Sequence, residues 1–172
     1  MEFRCSLKQI PCPHCGLIGA LVLNGRLYGY GERSFSRTLL RGRRIFCNNR
    51  KARNNGCGGS FCILAADVIK NFTISAASLW RFLDGVEEPS DRLVSFRELE
   101  VTHDESAAYR LYRRFTRRIS FIRSMLGKIC PRVDLPDTRT AAAQTIAHLK
   151  AVFQKASCPI AAFQRKFGVS FL

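Results

Sequence analysis

Acidic residues are scarce in this sequence, and their scarcity is the first constraint on what it does. Against 28 Lys+Arg stand only 13 Asp+Glu, giving a formal net charge of +15. No apolar run approaches the ~20 residues that a membrane span needs. The opening MEFRCSLKQIPCPHCG holds no apolar h-region, so no secretory signal is expected. P-loop, GxGxxG and nucleophile motifs are missing as well. The closest acids, Glu87, Glu88 and Asp91, surround Pro89 in an expected loop, not as converging carboxylates of a metal-ion nuclease. There is no Pro- or Ser-rich linker, internal repeat or low-complexity segment. What is present is the composition of a folded protein, 47% hydrophobic and 24% charged over 172 residues, enough for one ordinary domain or two small ones. Of the 28 bases, 21 are arginine, whose planar fork matches phosphate oxygens. The excess points to a polyanionic partner, nucleic acid before membrane. With eight cysteines and no export signal, a cytoplasmic metal-binding chain is expected, nucleoid-associated if bacterial.

The two halves are written differently. Residues 1–62 hold nine of the twelve glycines, six of the eight cysteines and two alanines. Residues 63–172 hold fourteen alanines and three glycines. Turns and short strands are expected in the first, helices in the second, an α+β protein with its boundary between Phe61 and Ala65. Ala20–Leu23 and Arg26–Tyr28 flank Asn24-Gly25, a dipeptide that favours a hairpin turn. A further strand, Arg43-Arg44-Ile45-Phe46, leads into Cys47. In the second half Thr73 is placed to cap a helix running to Asp84 and ended by Gly85. Thr102 and Glu105 form a capping-box pattern for a long helix to Lys128. Its apolar stripe is Leu111, Phe115, Ile119, Ile122, Leu126 and Ile129. Helices are also expected over Thr140–Phe153 and from Pro159 to just before Gly168.

Cys12-Pro13-His14-Cys15-Gly16 has the form of a zinc knuckle, two thiolates two residues apart followed by a glycine. Structural zinc takes four ligands in a tetrahedron, and two knuckles joined through a hairpin supply them. Cys57-Gly58-Gly59 reads as the end of a second knuckle and Cys47 as its beginning. Nine residues, 48–56, separate the two where two are usual, and they carry Arg50, Lys51 and Arg53. The expected centre is therefore one structural zinc on Cys12, Cys15, Cys47 and Cys57, with a basic finger inserted into the second knuckle. Cys62 is the alternative to Cys47 or Cys57. His14 has a supporting or solvent-facing role, and Cys5, Cys130 and Cys158 read as buried small hydrophobes. A competing enzymatic pattern joins Pro11-Cys12 and Cys15 to His103-Asp104-Glu105, as PCxxC and HxE of nucleobase deaminases. Its order is reversed, and it leaves the second cysteine pair without a role.

The run CPHCG, the NG dipeptide, RRIFC and CGGSF resembles the N-terminal zinc ribbon of bacterial insertion-sequence transposases and their small DNA-binding partner proteins. In that family a helix-turn-helix follows the ribbon. The resemblance covers residues 12–118 and implies a first helix across Phe72–Arg81 and a recognition helix across Ser106–Phe115. It implies a zinc ribbon in residues 1–62 and a helical, helix-turn-helix-like region in residues 63–172. No RNase-H-like domain follows, so strand transfer does not carry over.

Two basic stretches fit such a partner. No acid lies between Glu32 and Asp67, which enclose Arg41, Arg43, Arg44, Arg50, Lys51 and Arg53 among others. None lies between Glu105 and Asp134, which enclose Arg110, Arg113, Arg114, Arg117 and Arg118. These five are placed opposite the Leu111 stripe, as a face for a major groove or phosphate backbone. Trp80, Phe82 and Tyr28 are candidate stacking groups whose simpler role is core packing. The expected function is non-catalytic, zinc-dependent binding of duplex DNA, as a regulator or as recognition partner of a separate mobile-element enzyme. Rival readings are an RNA- or ribonucleoprotein-associated ribbon subunit, a zinc enzyme of deaminase or hydrolase type, and an assembly module whose C-terminal helices bind a protein.

Overall fold

The computed structural model describes residues 2–33, 36–49, 55–86, 88–130 and 140–172. The chain divides into two compact units, residues 1–29 with 36–65, and residues 30–35 with 66–172. The division falls later than residue 62 because the last strand of the first unit runs through that position.

The first unit holds α1 (Glu2–Gln9) and three strands, β1 (Leu21–Gly29), β2 (Leu39–Cys47) and β3 (Ser60–Leu64). They form one antiparallel sheet in the order β1-β2-β3. Helix α1, unexpected in a half read as turns and strands, packs on β1 and buries Leu7 beside Leu21 and Ile45. Asn24-Gly25 does not turn the chain. Leu23 pairs with Ile45 and Gly25 with Arg44, so Asn24 is the extra residue of a β-bulge. The two nine-residue strands pair along their lengths, and that ladder outweighs the local turn preference of the dipeptide. The core is small: Leu7, Ala20, Leu21 and Ile45, completed by the two cysteines Cys12 and Cys47.

The second unit is helical, with α2 (Ala76–Asp84), a 3-10 turn at Pro89–Asp91, α3 (Arg92–Arg97), α4 (Ser106–Gly127), α5 (Ala141–Val152) and α6 (Pro159–Phe167). The Glu88–Asp91 segment expected as loop is thus partly helical; Glu87 lies outside the described residues. Helix α2 is capped by Ser75, whose side chain accepts from the Ser78 N–H, and not by Thr73. The loop residue Glu32 strengthens that cap: its carboxylate accepts the Ser75 N–H at 2.8 Å and the Ser78 hydroxyl at 2.9 Å. A carboxylate there also faces the positive end of the helix. Thr102 and Glu105 form no capping box. Thr102 donates to the Glu32 carbonyl, Arg97 donates to Glu105 at 2.7 Å, and Asp104 accepts the Ser106 N–H at the start of α4. Competing partners elsewhere in the unit took both members of the pattern.

Thr140 caps α5, and Gly168 ends α6 in the left-handed conformation at φ +66°. Helix α4 packs along α5 and α2 against α6. The stripe from Leu111 to Leu126 is buried as expected, but Ile129 lies past the helix end and is exposed. Phe171, one residue from the C-terminus, is fully buried between Phe115 and Phe163. Gln164 fixes that segment: its amide donates to the carbonyls of Ala66 and Val68 and its oxygen accepts the Phe171 N–H. No helix among the described residues is long and apolar enough to cross a membrane.

Candidate metal centre and basic surfaces

Cys12, Cys15, Cys47 and Cys57 come together with all four sulfurs within 4.8 Å of one another. Cys12 Sγ lies 3.8 Å from Cys57 Sγ, and Cys15 Sγ 3.8 Å from Cys47 Sγ. These are not disulfide distances, and all eight cysteines are free thiols. A tetrahedral centre with zinc–sulfur bonds of about 2.3 Å has sulfur–sulfur edges of about 3.8 Å. The two closest contacts therefore match the edges that such an ion imposes. The donor set can hold one metal ion, and soft thiolates in this arrangement suit zinc.

The sequence around the sulfurs builds the same device twice. The Gly16 N–H donates to the Cys12 carbonyl at 2.8 Å, and the Gly58 N–H to the Cys47 carbonyl at 3.1 Å. The Cys12 N–H donates to Leu17 O and the Cys47 N–H to Gly59 O, one residue past each glycine. Gly16 has φ +73° and Gly58 φ +72°, a conformation that residues with a Cβ adopt only with strain. In each knuckle the first cysteine is buried and the second exposed. The insertion leaves and re-enters at one point, where the Gly56 N–H donates to Asn48 O at 3.2 Å. Asn48 and Gly56 thus take the places of the two spacer residues of an uninterrupted knuckle. A Cβ on Gly56 would come within 2.8 Å of Cys47 Sγ, so a side chain there would push on a ligand.

The thiols differ in acidity. Burial opposes ionisation of Cys12, but N–H groups of His14 and Cys15 and the neighbouring thiols of Cys47 and Cys15 outweigh it, lowering it to about 6. Cys47 is pushed up to about 12, by burial first and then by the other three thiols, against the N–H of Cys57. One sulfur takes the first charge and suppresses the next, while a bound cation would favour the thiolate at all four.

The remaining sulfur and histidine positions separate cleanly. Cys62 lies exposed on β3, outside the cluster. His14 also stays outside, meeting Phe61 edge-on with ring centroids 6.2 Å apart. Cys5 is exposed, not buried as expected, while Cys130 and Cys158 are half-buried. Cys158 has a role that composition did not reveal: its sulfur accepts the Ala161 N–H at 3.4 Å and caps α6.

On β2, Arg41 lies between the register positions that pair Gly42 with Leu27 and Leu40 with Tyr28, a second bulge. Arg43 pairs across to Arg26, two like charges side by side, and exposed Arg44 falls on the opposite face. Arg50, Lys51 and Arg53 lie outside the described residues, as does Arg132. On α4, Arg110, Arg113, Arg114 and Arg117 are exposed. Arg118 is not on that face. At about 100° per residue it falls beside the apolar stripe, and its guanidinium donates to Ser170 O at 2.8 Å and lies over Phe121. Arg110 reaches Asp104 at 3.9 Å, and Arg114 lies over the Phe72 ring at 5.0 Å. Among the described residues Arg113, Arg114 and Arg117 have no carboxylate partner. Of the aromatic candidates, Phe82 is core and Trp80 packs against it, while Tyr28 is exposed and its hydroxyl accepts from Arg26. Comparisons with known protein families, curated proteins and solved structures give no match for this chain.

Proposed function

We propose that this chain is a non-catalytic, zinc-dependent DNA-binding protein. Its first unit is a zinc ribbon whose ion is held by Cys12, Cys15, Cys47 and Cys57. The second is a helix-turn-helix-like unit that presents α4 as the recognition helix. Zinc here supplies folding energy: among the described residues, two of the six buried apolar positions in the first unit are ligand cysteines, too little core for a unit of this size. Four thiolates fill a tetrahedral shell and leave no position for a reacting water. Glu105, the acid of the HxE pattern, is engaged by Arg97, which holds its carboxyl below the usual range. Both points support a binding role over a deaminase or hydrolase.

The observation that carries the DNA reading is the set of exposed arginines Arg113, Arg114 and Arg117 on one long helix, none of which has a carboxylate partner among the described residues. A solvated helix face normally mixes signs; an unbalanced one is matched by an anion outside the chain. The likeness of the cysteine pattern to insertion-sequence proteins favours recognition on behalf of a separate mobile-element enzyme. The order α2-α3-α4 departs from the simple two-helix expectation, since α3 intervenes and α2 begins at Ala76 instead of Phe72.

Anisotropy of a labelled duplex over a salt series tests the proposal. Replacing Arg113, Arg114 and Arg117 by glutamine should weaken binding and flatten the log–log salt slope by ~0.9 per lost phosphate contact. An unchanged slope contradicts the assignment of this face. Tighter binding to structured RNA than to duplex DNA would move the partner to RNA.

A further inference from the structure

A cleft of about 520 Å³ opens beside α4, within the helical unit. That falls in the ~300–1,000 Å³ range of small-ligand sites. Asn71, at φ +65°, turns the chain so that Phe72, Thr73 and Ile74 line one side. Ile74, Ala107 and Leu111, all buried, supply an apolar floor. Arg110, Arg113, Arg114 and Arg117 all line the cleft, and no carboxylate does among the described residues. Thr73 Oγ1 and His103 Nε2 meet at 2.6 Å in its wall, and Arg114 is held over Phe72.

A smooth phosphate backbone needs the cations but not a recess with an apolar floor. An inorganic anion would leave that floor against water. A flat apolar body joined to a phosphate uses both parts. We infer that the cleft receives one unpaired nucleotide of the bound nucleic acid. Its base enters over Ile74, Ala107 and Leu111, beside the Arg114–Phe72 pair. Its phosphates lie on Arg113 and Arg117. Arginine planes and aromatic rings are the usual partners of splayed bases, whatever the base identity. The inference rests on the proposed nucleic-acid function and assigns α4 a preference within it: interrupted duplex over continuous duplex.

The test compares two labelled duplexes of the same sequence, one fully paired and one with a single-nucleotide bulge, using the full zinc-bound chain. The bulged duplex should bind about tenfold tighter, the order of effect of one base–aromatic stack. Ala107→Leu, which fills the floor, and Thr73→Leu, which fills the wall, should each bring the ratio of the two affinities close to one. Equal affinities in the unaltered protein overturn the inference and leave duplex binding standing. Failure to bind either duplex overturns the underlying DNA reading as well. A deoxynucleoside monophosphate that displaces the bulged strand at equal concentration overturns it too, since the ligand is then a free nucleotide.

Discussion

Cys47 and Cys12 carry opposite electrostatic tendencies within one sulfur cluster, and this has a measurable consequence. With Cys47 pushed up to about 12, a metal must displace its proton at neutral pH; with Cys12 lowered to about 6, that sulfur is already ionised there. Protons and metal compete for the same atoms, so zinc affinity should rise with pH. As pH falls, protons reclaim the sulfurs and a metal indicator should register release. Affinity that is flat across this range would contradict thiolate ligation. Cys57→Ser should abolish stoichiometric zinc, whereas Cys62→Ser should retain it, because Cys62 lies outside the cluster. In the other unit Gln164 satisfies three backbone groups with one side chain. Gln164→Leu strands them in a buried setting and should cost about 3 kcal/mol, read as a lowered urea midpoint. Cys12 and Cys15 were legible because two-residue spacing and a following glycine specify a knuckle on their own. Thr102, Glu105 and Arg118 were not, because their partners Glu32, Arg97 and Ser170 are set by tertiary packing that no local pattern encodes.

At the scale of elements, the second knuckle shows how an insertion can leave a site intact. Residues 48 and 56 meet through one backbone hydrogen bond, and the bonds from Gly58 and Gly59 around Cys47 repeat those of Gly16 and Leu17 around Cys12. Deleting residues 49–55 joins Asn48 to Gly56 and restores two-residue spacing. The shortened chain should bind zinc one to one, with affinity within a few-fold of the parent. It should bind duplex DNA more weakly, since Arg50, Lys51 and Arg53 leave with the finger. Loss of zinc binding would mean that the insertion holds the second knuckle together. Helix α4 was readable from its stripe, whose residues recur every three or four positions. The Asn24-Gly25 bulge was not, because pairing between β1 and β2 overrides a two-residue preference. Helices α1 and α3 leave little periodic signal in the sequence, because they are only eight and six residues long.

Taken as a whole, the molecule joins a small sulfur-rich unit to a helical unit with an ample core, and the two should respond differently to stress. Removing zinc should unfold the first while the second, built on Leu111, Phe115, Phe163 and Phe171, keeps its helical circular dichroism. Phe171→Ala should do the reverse, costing the helical unit about 3–5 kcal/mol and leaving the metal in place. The α+β class and the basic surplus were visible from composition. The role of the C-terminal segment was not, since Phe171 gains its burial from partners in α4 and α6 that lie far from it or are unremarkable in sequence. Charge unites the molecule: its formal +15 is what a polyanion would answer. Native mass spectrometry of the full chain with a duplex, over increasing ammonium acetate, tests both halves of that statement together. We expect one zinc per chain with thiol protons displaced, and a protein–duplex complex that dissociates as the salt rises. A metal-free folded chain, or a zinc-bound chain that leaves the duplex unbound at low salt, would contradict it.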